Sequence, residues 1–236
     1  MFKKKPTPNY LKPIIIILVA LLALFIILLV INFANFLAAN QFSNQNNLEL
    51  IPYNLMTLVS STAITVPQIY SDSPVKGNAK APITIYEFSS FDCLYGQTMQ
   101  ATLNKILKKY PQQIKLVWKD LPIDEQNNNI MLAHQASRCA QEQDKFWQYH
   151  DLLWQSDGNF TLAKLQALAD KLNLRRLDFD SCLKNQITKA VVEKDISEAN
   201  DLLISGTPHF YINEQEIMGL ATEEDFSKII EQELKQ

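Results

Sequence analysis

Hydrophobic positions change period along the second half of the chain, and these changes predict its elements. The stretches PITIYEF at 82–88 and IKLVW at 114–118 are rich in β-branched and aromatic residues, which predicts two strands. Between them, apolar residues recur at helical spacing from Gln97 to Tyr110, and Pro111 is predicted to end this helix. The order strand, helix, strand indicates a parallel pair of strands in an α/β layer.

A long run of helical patterns follows the second predicted strand. The stretches IMLAHQASRCAQEQ, DKFWQYHDLLW and TLAKLQALADKL each predict a helix, and a further long segment opens at Asp178. HFYIN and EIMG then predict a hairpin around Asn213–Gln215, followed by a helix that Thr222 caps together with Asp225. The pattern as a whole predicts a β-α-β unit, a helical insertion and a β-β-α unit.

The first forty residues differ in composition from the rest of the chain. No charged residue occurs from Ile14 to Ala39, and lysines occupy positions 3, 4, 5 and 12 before this stretch. A helix over 14–36 would be roughly 34 Å long, enough to cross a hydrocarbon core of about 30 Å. Because a cleaved signal peptide has an apolar stretch of only about 7–15 residues, an uncleaved anchor is favoured, with cleavage near LAAN as the alternative.

The lysines also predict how this anchor is oriented in the membrane. By the positive-inside rule, residues 1–13 form a cytoplasmic tail, and the chain beyond the anchor is extracytoplasmic, on the periplasmic side of the inner membrane. Residues 37–73 begin with an Asn/Gln-rich stretch and are interpreted as a tether. A net charge of −3 argues against a nucleic-acid-binding protein.

The predicted compartment changes how the three cysteines are interpreted. They are Cys93, Cys139 and Cys182. Thiols outside the cytoplasm tend to pair, and an odd number leaves one cysteine without an internal partner. The three histidines show no ligand spacing to any cysteine, so no metal site and no cofactor is predicted.

Four stretches, in this order, carry a resemblance to a known family: PVKGNAKAPITIYEFSSFDC, CAQEQDKFWQYHDLLW, FDSCL and SGTPHFYIN. They resemble the DsbA-like branch of the thioredoxin-fold thiol–disulfide oxidoreductases, over roughly two-thirds of the chain. The resemblance implies a thioredoxin-like fold over 74–236, with a helical insertion at about 125–203. It also implies an exported bacterial protein that makes, breaks or reshuffles disulfides in other proteins.

The same resemblance assigns roles to individual residues. Cys93 takes the position of the nucleophile of a C-x-x-C motif, Pro208 that of a cis-proline facing it, and Glu87 that of a buried acid. Gly96 stands where the family has its resolving cysteine, and this departure puts two-thiol chemistry in doubt. Some members of the family bridge the positions of Cys139 and Cys182, which implies a structural disulfide there; two buried free thiols are the alternative.

A helix N-terminus at Cys93 would favour the thiolate, since the helix dipole and free N–H groups stabilise negative charge. We therefore expect a reactive, at least partly exposed thiol, against the alternative of an inert buried cysteine. Gly96 has two interpretations. Either an unused cysteine was lost, or the missing side chain leaves room for a substrate backbone or for glutathione.

Several residues near Cys93 are predicted to bind substrate. By the resemblance, backbone groups of Thr207 would pair with an extended peptide by strand addition. Tyr95 follows Cys93 closely and is included in this predicted surface. His209 follows Pro208 and would stabilise a thiolate if its imidazolium approached Cys93, although a core-packed histidine is the more common alternative.

Together these features predict thiol–disulfide exchange through one cysteine by a membrane-anchored, extracytoplasmic protein. Loss of the resolving thiol favours isomerase-like or glutathione-dependent exchange over net oxidation. The expected partners are protein or peptide thiols and disulfides, with glutathione or a membrane redox protein as a further partner. The alternative is a non-catalytic, chaperone-like module that has kept only the peptide-binding groove.

Overall fold

The computed structural model describes residues 66–124 and 127–235, and five isolated helical residues nearer the N-terminus, at positions 22, 26, 27, 29 and 32. The chain divides into two compact units, Met1–Ser60 and Ser61–Gln236. The predicted tail 1–13, most of the predicted anchor 14–36 and the predicted tether up to residue 65 lie outside the described residues. Within the described part, no helix has both the length and the apolar character that crossing a bilayer requires.

The second unit is built on a five-stranded sheet in the order β1-β3-β2-β4-β5. Its strands are β1 (Val75–Gly77), β2 (Ile83–Ser89), β3 (Ile114–Asp120), β4 (His209–Ile212) and β5 (Gln215–Met218). Strands β2 and β3 are parallel, as predicted, and helix α1 (Leu94–Lys109) connects them. The hairpin of β4 and β5 is confirmed, and β4 pairs antiparallel with β2. Strand β1, which has only three residues, was not predicted.

The alternation of side chains along β2 sends them to two faces of the sheet. Ile83 and Ile85 belong to one buried cluster with residues of α1 and of the last helix, α7 (Glu223–Glu233). Tyr86 and Phe88 belong to a different cluster, which contains Ala199. All seven residues of β2 are buried, as a central strand covered on both faces requires. The predicted capping box at Thr222 is confirmed at the start of α7.

Five helices form the insertion between β3 and β4, as predicted in outline. They are α2 (Asn128–Gln141), α3 (Phe146–Trp154), α4 (Leu162–Lys171), α5 (Arg176–Lys184) and α6 (Lys189–Asp201). The long segment predicted from Asp178 is therefore two helices, and Gln186 between them has a positive φ of 50°. The disulfide between Cys139 of α2 and Cys182 of α5 is confirmed, with a Cα–Cα distance of 5.8 Å.

A buried ionic network, formed by Lys119, Asp120, Arg138, Asp195 and Glu198, joins the insertion to the sheet. Arg138 of α2 donates to Asp120 of β3 at 2.5 Å and to Asp195 of α6 at 2.6 Å. Lys119 donates to Glu198 at 2.6 Å. Burial raises the pKa of the Asp120 carboxyl, but Arg138 and His134 lower it by more. The pKa of this carboxyl therefore lies below its usual range.

Residues 66–73, which lie within the predicted tether, are held by the same network. The N–H of Gln68 donates to Glu198 at 2.5 Å, and the carbonyl of Asp72 accepts from Arg138 at 2.9 Å. The ring of Tyr70 lies within 4.1 Å of the Lys119 ammonium. This segment therefore packs as part of the domain.

Candidate active site

Cys93 lies at the N-terminus of α1, where a short turn connects the helix to the end of β2. Its side chain is the N-cap, because the N–H of Gly96 donates to the Cys93 sulfur at 3.4 Å. The first N–H groups of a helix lack backbone partners and carry partial positive charge, and the Cys93 sulfur accepts from one of them. The predicted placement of Cys93 at a helix N-terminus is confirmed, although the helix begins at Leu94, three residues before the predicted Gln97.

The loop before β4 lies against the same sulfur atom. The peptide bond between Thr207 and Pro208 is cis, as the resemblance implies. The Cys93 thiol donates to the Thr207 carbonyl oxygen at 3.3 Å. The sulfur is thus held between the amide end of a helix and a proline loop.

Cys93 is more buried than the sequence analysis predicts. Only 6% of the residue is exposed, and it is the free cysteine of the described chain. It lines a pocket of about 380 Å³. The other lining residues come from the turn, from α1 and from the end of α3: Phe91, Asp92, Leu94, Gln97, Trp154, Ser156, Asp157 and Gly158. This pocket therefore lies between the turn that carries Cys93 and the insertion.

Glu87 is a buried acid, as the resemblance implies. It is fully buried on β2, and one of its oxygens accepts from the amide of Gln100 at 2.7 Å. Burial raises its pKa to about 8, against a smaller lowering by the Gln100 hydrogen bond. Gln100 also donates to the Gly96 carbonyl at 3.3 Å, so the acid is linked to the first turn of α1 through one side chain.

The space next to Gly96 is filled, which corrects one of the two interpretations of this residue. A Cβ atom placed on Gly96 would lie 2.5 Å from the Ser89 hydroxyl oxygen and 2.9 Å from Cη2 of Trp154. Both neighbours are buried side chains. The missing side chain therefore leaves no room on that side for a peptide backbone or for glutathione, and Gly96 does not line the pocket.

Comparison with known proteins identifies the family and the fold. A family model described as Thioredoxin matches residues 70–232. The chain belongs to the thioredoxin family. Its solved structural relatives include oxidised BdbD from Bacillus subtilis, with a TM-score of 0.61 and 25% identity over 70% of this chain and 94% of that one.

Curated relatives of this thioredoxin-family chain fall into two groups. A probable disulfide bond formation protein D from Bacillus anthracis is 27% identical over 70% of this chain and 80% of its own length. A Na(+)/H(+) antiporter NhaA 3 from Salinispora tropica is 30% identical over 139 residues, which are 59% of this chain. The chain spans only about a fifth, 21%, of the length of that antiporter.

His209 does not approach Cys93, contrary to one prediction. In β4 it pairs opposite Phe88, whose cluster includes Ala199 of α6, whereas its neighbour Phe210 packs with α1. Successive side chains of a strand point to opposite faces, so His209 faces away from the helix that carries Cys93. Its ring packs on Tyr211 at 5.3 Å, and burial lowers its pKa.

The other predicted substrate-binding residues have different surroundings. Tyr95 is 60% exposed, next to the 77% exposed Leu94, so both present apolar surface beside the site. The Thr207 carbonyl is engaged with Cys93, and the Thr207 hydroxyl is buried with no hydrogen-bond partner within the described residues. Substrate binding by Tyr95 and by the Thr207 backbone stays a prediction.

Sequence reasoning missed the residues that reach the site from elsewhere. Ser89 and Gln100 lie on β2 and α1, and nothing in their local pattern separates them from other polar residues. Trp154 was predicted only as part of the helix over DKFWQYHDLLW. Its backbone carbonyl in fact accepts from Gln97 at 2.5 Å, which joins the end of α3 to the first turns of α1. No signal in a single sequence indicates this contact.

Proposed function

We propose that this chain is an oxidoreductase that exchanges disulfides with protein substrates through Cys93 alone. One observation carries the proposal: the Cys93 sulfur lies between the Gly96 N–H and the Thr207 carbonyl, beside the cis-proline. This geometry places a free thiol at a helix N-terminus and next to a cis-proline loop, whose Thr207 carbonyl would pair with a peptide once it releases the Cys93 thiol. The printed name of the Bacillus anthracis relative, a probable disulfide bond formation protein, supports the same chemistry.

The exchange proceeds in two balanced steps. The Cys93 thiolate attacks one sulfur of a substrate disulfide, a bond between the two sulfurs forms, and the other substrate sulfur leaves as a thiolate that takes up a proton. A second thiolate, from the substrate protein or from a small thiol such as glutathione, then attacks the mixed disulfide and releases Cys93. When the second thiolate comes from the same substrate molecule, that molecule has as many disulfides after the reaction as before. The reaction is then an isomerisation without net oxidation.

Glu87 is proposed as the proton carrier for these steps. Its raised pKa of about 8 places its titration close to neutral pH, where an acid–base group exchanges protons most efficiently. Its contact with Gln100, which also bonds to the Gly96 carbonyl, links it to the turn that carries the reacting sulfur.

We also propose that residues 14–36 anchor the protein in the inner membrane with the domain on the periplasmic side. The uncharged stretch after four lysines supports this topology. The test is labelling of the full chain in sealed cells with a membrane-impermeant maleimide, against a Cys93→Ser control. Labelling only after the cells are lysed would contradict the proposed topology. A membrane redox partner that reduces Cys93 would also require residues 14–36 in the membrane and the domain on the periplasmic side.

The reactivity of Cys93 is the direct test of the exchange chemistry. Since Cys139 and Cys182 are paired, the full chain in urea without reductant provides its own reference for an unfolded Cys93. The native protein is expected to react with an aromatic disulfide probe at least ten times faster than the unfolded protein, and Cys93→Ser is expected not to react. A native rate below the unfolded rate would contradict the proposal.

The burial of Cys93 favours a second candidate function, a peptide-binding module without redox activity. The sulfur is largely covered, while Leu94 and Tyr95 next to it are exposed. If this alternative holds, Cys93→Ser will bind unfolded peptides and complement a gene deletion as well as the native protein does. If exchange is the function, the same variant will fail to complement.

A further inference from the structure

The position of Gly96 has the right geometry for a second thiol. A Cβ atom there would lie 3.5 Å from the Cβ of Cys93, within the range that disulfide bonds require. The backbone of α1 therefore keeps the arrangement of a two-cysteine site, although its second side chain is missing.

Two side chains from other elements occupy the volume that this second side chain would need. The Ser89 oxygen, from β2, and Cη2 of Trp154, from α3, lie 2.5 Å and 2.9 Å from the added Cβ. Both distances are shorter than non-bonded contacts of a carbon atom permit. The volume that a second cysteine side chain would occupy is thus filled by Ser89 and Trp154.

The hydroxyl of Ser89 makes no hydrogen bond in the described structure, whereas its backbone carbonyl accepts from the N–H of Leu121 at 3.0 Å. The residue is fully buried, and its hydroxyl oxygen is without a partner there. Such an arrangement destabilises a folded protein, so the serine is not explained by the needs of the sheet. Its hydroxyl can rotate about one bond, which makes it the weaker of the two obstacles.

Trp154 is held firmly from its other side. Its indole N–H donates to His150 at 3.0 Å, and its ring lies 5.4 Å from the ring of Phe91. The residue is only 6% exposed. The indole therefore cannot move away from Gly96 without breaking contacts within the insertion.

We propose that Ser89 and Trp154 are the residues that keep the Cys93 site a one-thiol site. They fill the position from which an internal thiol would attack, so a mixed disulfide on Cys93 is released only by an external thiol. This inference rests on the proposed exchange function and names its structural determinants. It implies that introducing a cysteine at position 96 does not by itself create a working two-thiol site.

The test measures formation of a bond between two sulfurs rather than activity. Full-length G96C, G96C/S89A, G96C/W154F and the triple variant are equilibrated with mixtures of reduced and oxidised glutathione, which accept or supply the two electrons. Remaining thiols are then alkylated and counted by mass. The equilibrium constant for the disulfide between residues 93 and 96 is expected to rise at least tenfold from G96C to the triple variant, with W154F giving the larger part.

Matched controls distinguish the removal of the side chains next to residue 96 from a general destabilisation of the packing. G96C/S137A removes a fully buried serine hydroxyl on α2, and G96C/W147F removes an indole of α3 whose N–H donates to the Val75 carbonyl. Both controls are expected to keep the constant of G96C within a factor of two. Equal constants for G96C and the triple variant would overturn the inference.

A second measurement covers the case in which G96C does not fold. G96A introduces only the Cβ atom, and it is expected to lower the urea midpoint of unfolding, with S89A and W154F each restoring part of the loss. Absence of any rescue would overturn the inference. None of these measurements uses a substrate. An unreactive Cys93 in the native chain would therefore contradict the proposed function without deciding whether Ser89 and Trp154 block a second thiol.

Discussion

Two groups of buried polar side chains next to the central strands differ in how fully they are paired. In the buried ionic network, all six carboxylate oxygens of Asp120, Asp195 and Glu198 have hydrogen-bond partners. Around Cys93, one oxygen of Glu87 and the hydroxyls of Ser89 and Thr207 are buried without a partner in the described structure. The first group holds the insertion on the sheet, and the second lies around the sulfur of Cys93, the free cysteine of the described residues.

This difference distinguishes buried polar groups that stabilise the fold from buried polar groups that are kept for another reason. Native proteins pair nearly all buried polar groups, and the exceptions concentrate at sites that are under a constraint other than stability. His134, which contacts Asp120 of the network, has one ring nitrogen without a partner in the described structure, so the contrast holds for the carboxylates and not for every atom. The pairing of the carboxylates predicts that changes in the network cost stability, whereas changes at the unpaired atoms cost little.

The largest expected effect is that of Asp120→Asn. Removing this charge leaves the buried guanidinium of Arg138 without one of its two carboxylate partners, which is expected to cost about 3–5 kcal/mol of unfolding free energy. Urea denaturation of the full chain measures it. Asp170→Asn, which removes one of the two carboxylate partners of the more exposed Arg176, is the control and is expected to leave the midpoint nearly unchanged. Equal effects of the two changes would contradict the contrast.

The disulfide of the insertion is expected to rank next. Replacing Cys139 and Cys182 by alanine opens a loop with a sequence separation of 43 residues, which is expected to cost about 4 kcal/mol on the chain-entropy estimate. The same urea titration, run without reductant, gives the value. Cys93→Ser, which closes no loop, is the comparison and should change stability much less. A similar loss in both proteins would show that packing around sulfur, and not the cross-link, determines the result.

Glu87→Gln tests the unpaired site through its pH dependence. The native pKa of about 8 lies above the ordinary value of 4.5, so the folded chain binds the extra proton between these values and stability falls as pH rises. From pH 5 to pH 7.5 the native protein is expected to lose about 3 kcal/mol relative to Glu87→Gln. Unfolding free energies at the two pH values check this. Parallel pH profiles would show that Glu87 ionises normally in the fold.

The smallest expected effect compares two buried serines. Ser89→Ala removes an unpaired hydroxyl and is expected to be neutral or to stabilise by up to about 1 kcal/mol, because its burial is uncompensated. Ser137→Ala removes a hydroxyl that donates to the His134 carbonyl at 2.7 Å and is expected to cost about 1 kcal/mol. Differential scanning calorimetry of both variants decides the order. A larger loss for Ser89→Ala would mean that its hydroxyl has a partner, such as an ordered water.

The sequence predicted the elements that depend on short-range patterns. The strands over 83–89 and 114–120, the helix between them and the cap at Thr222 follow from periodicity and local side-chain chemistry, which act within a few residues. The cis-proline and the disulfide came from the resemblance to a family, since no local pattern specifies either. The anchor over 14–36 was predicted from composition alone and stays a prediction.

Only the tertiary structure decided what surrounds the Cys93 sulfur. The sequence left open whether His209, which follows Pro208, approaches Cys93 or packs in the core, and the register of β4 turns its ring to the other face of the sheet. Open space at Gly96 was one of two interpretations, and that space is filled by Ser89 and Trp154, the second of which is 58 positions away in the chain. Local periodicity determines which residues form helices and strands, whereas contacts between distant residues depend on how those elements pack. The sequence alone therefore determined where the thiol lies on its helix, and the fold decided what can reach it.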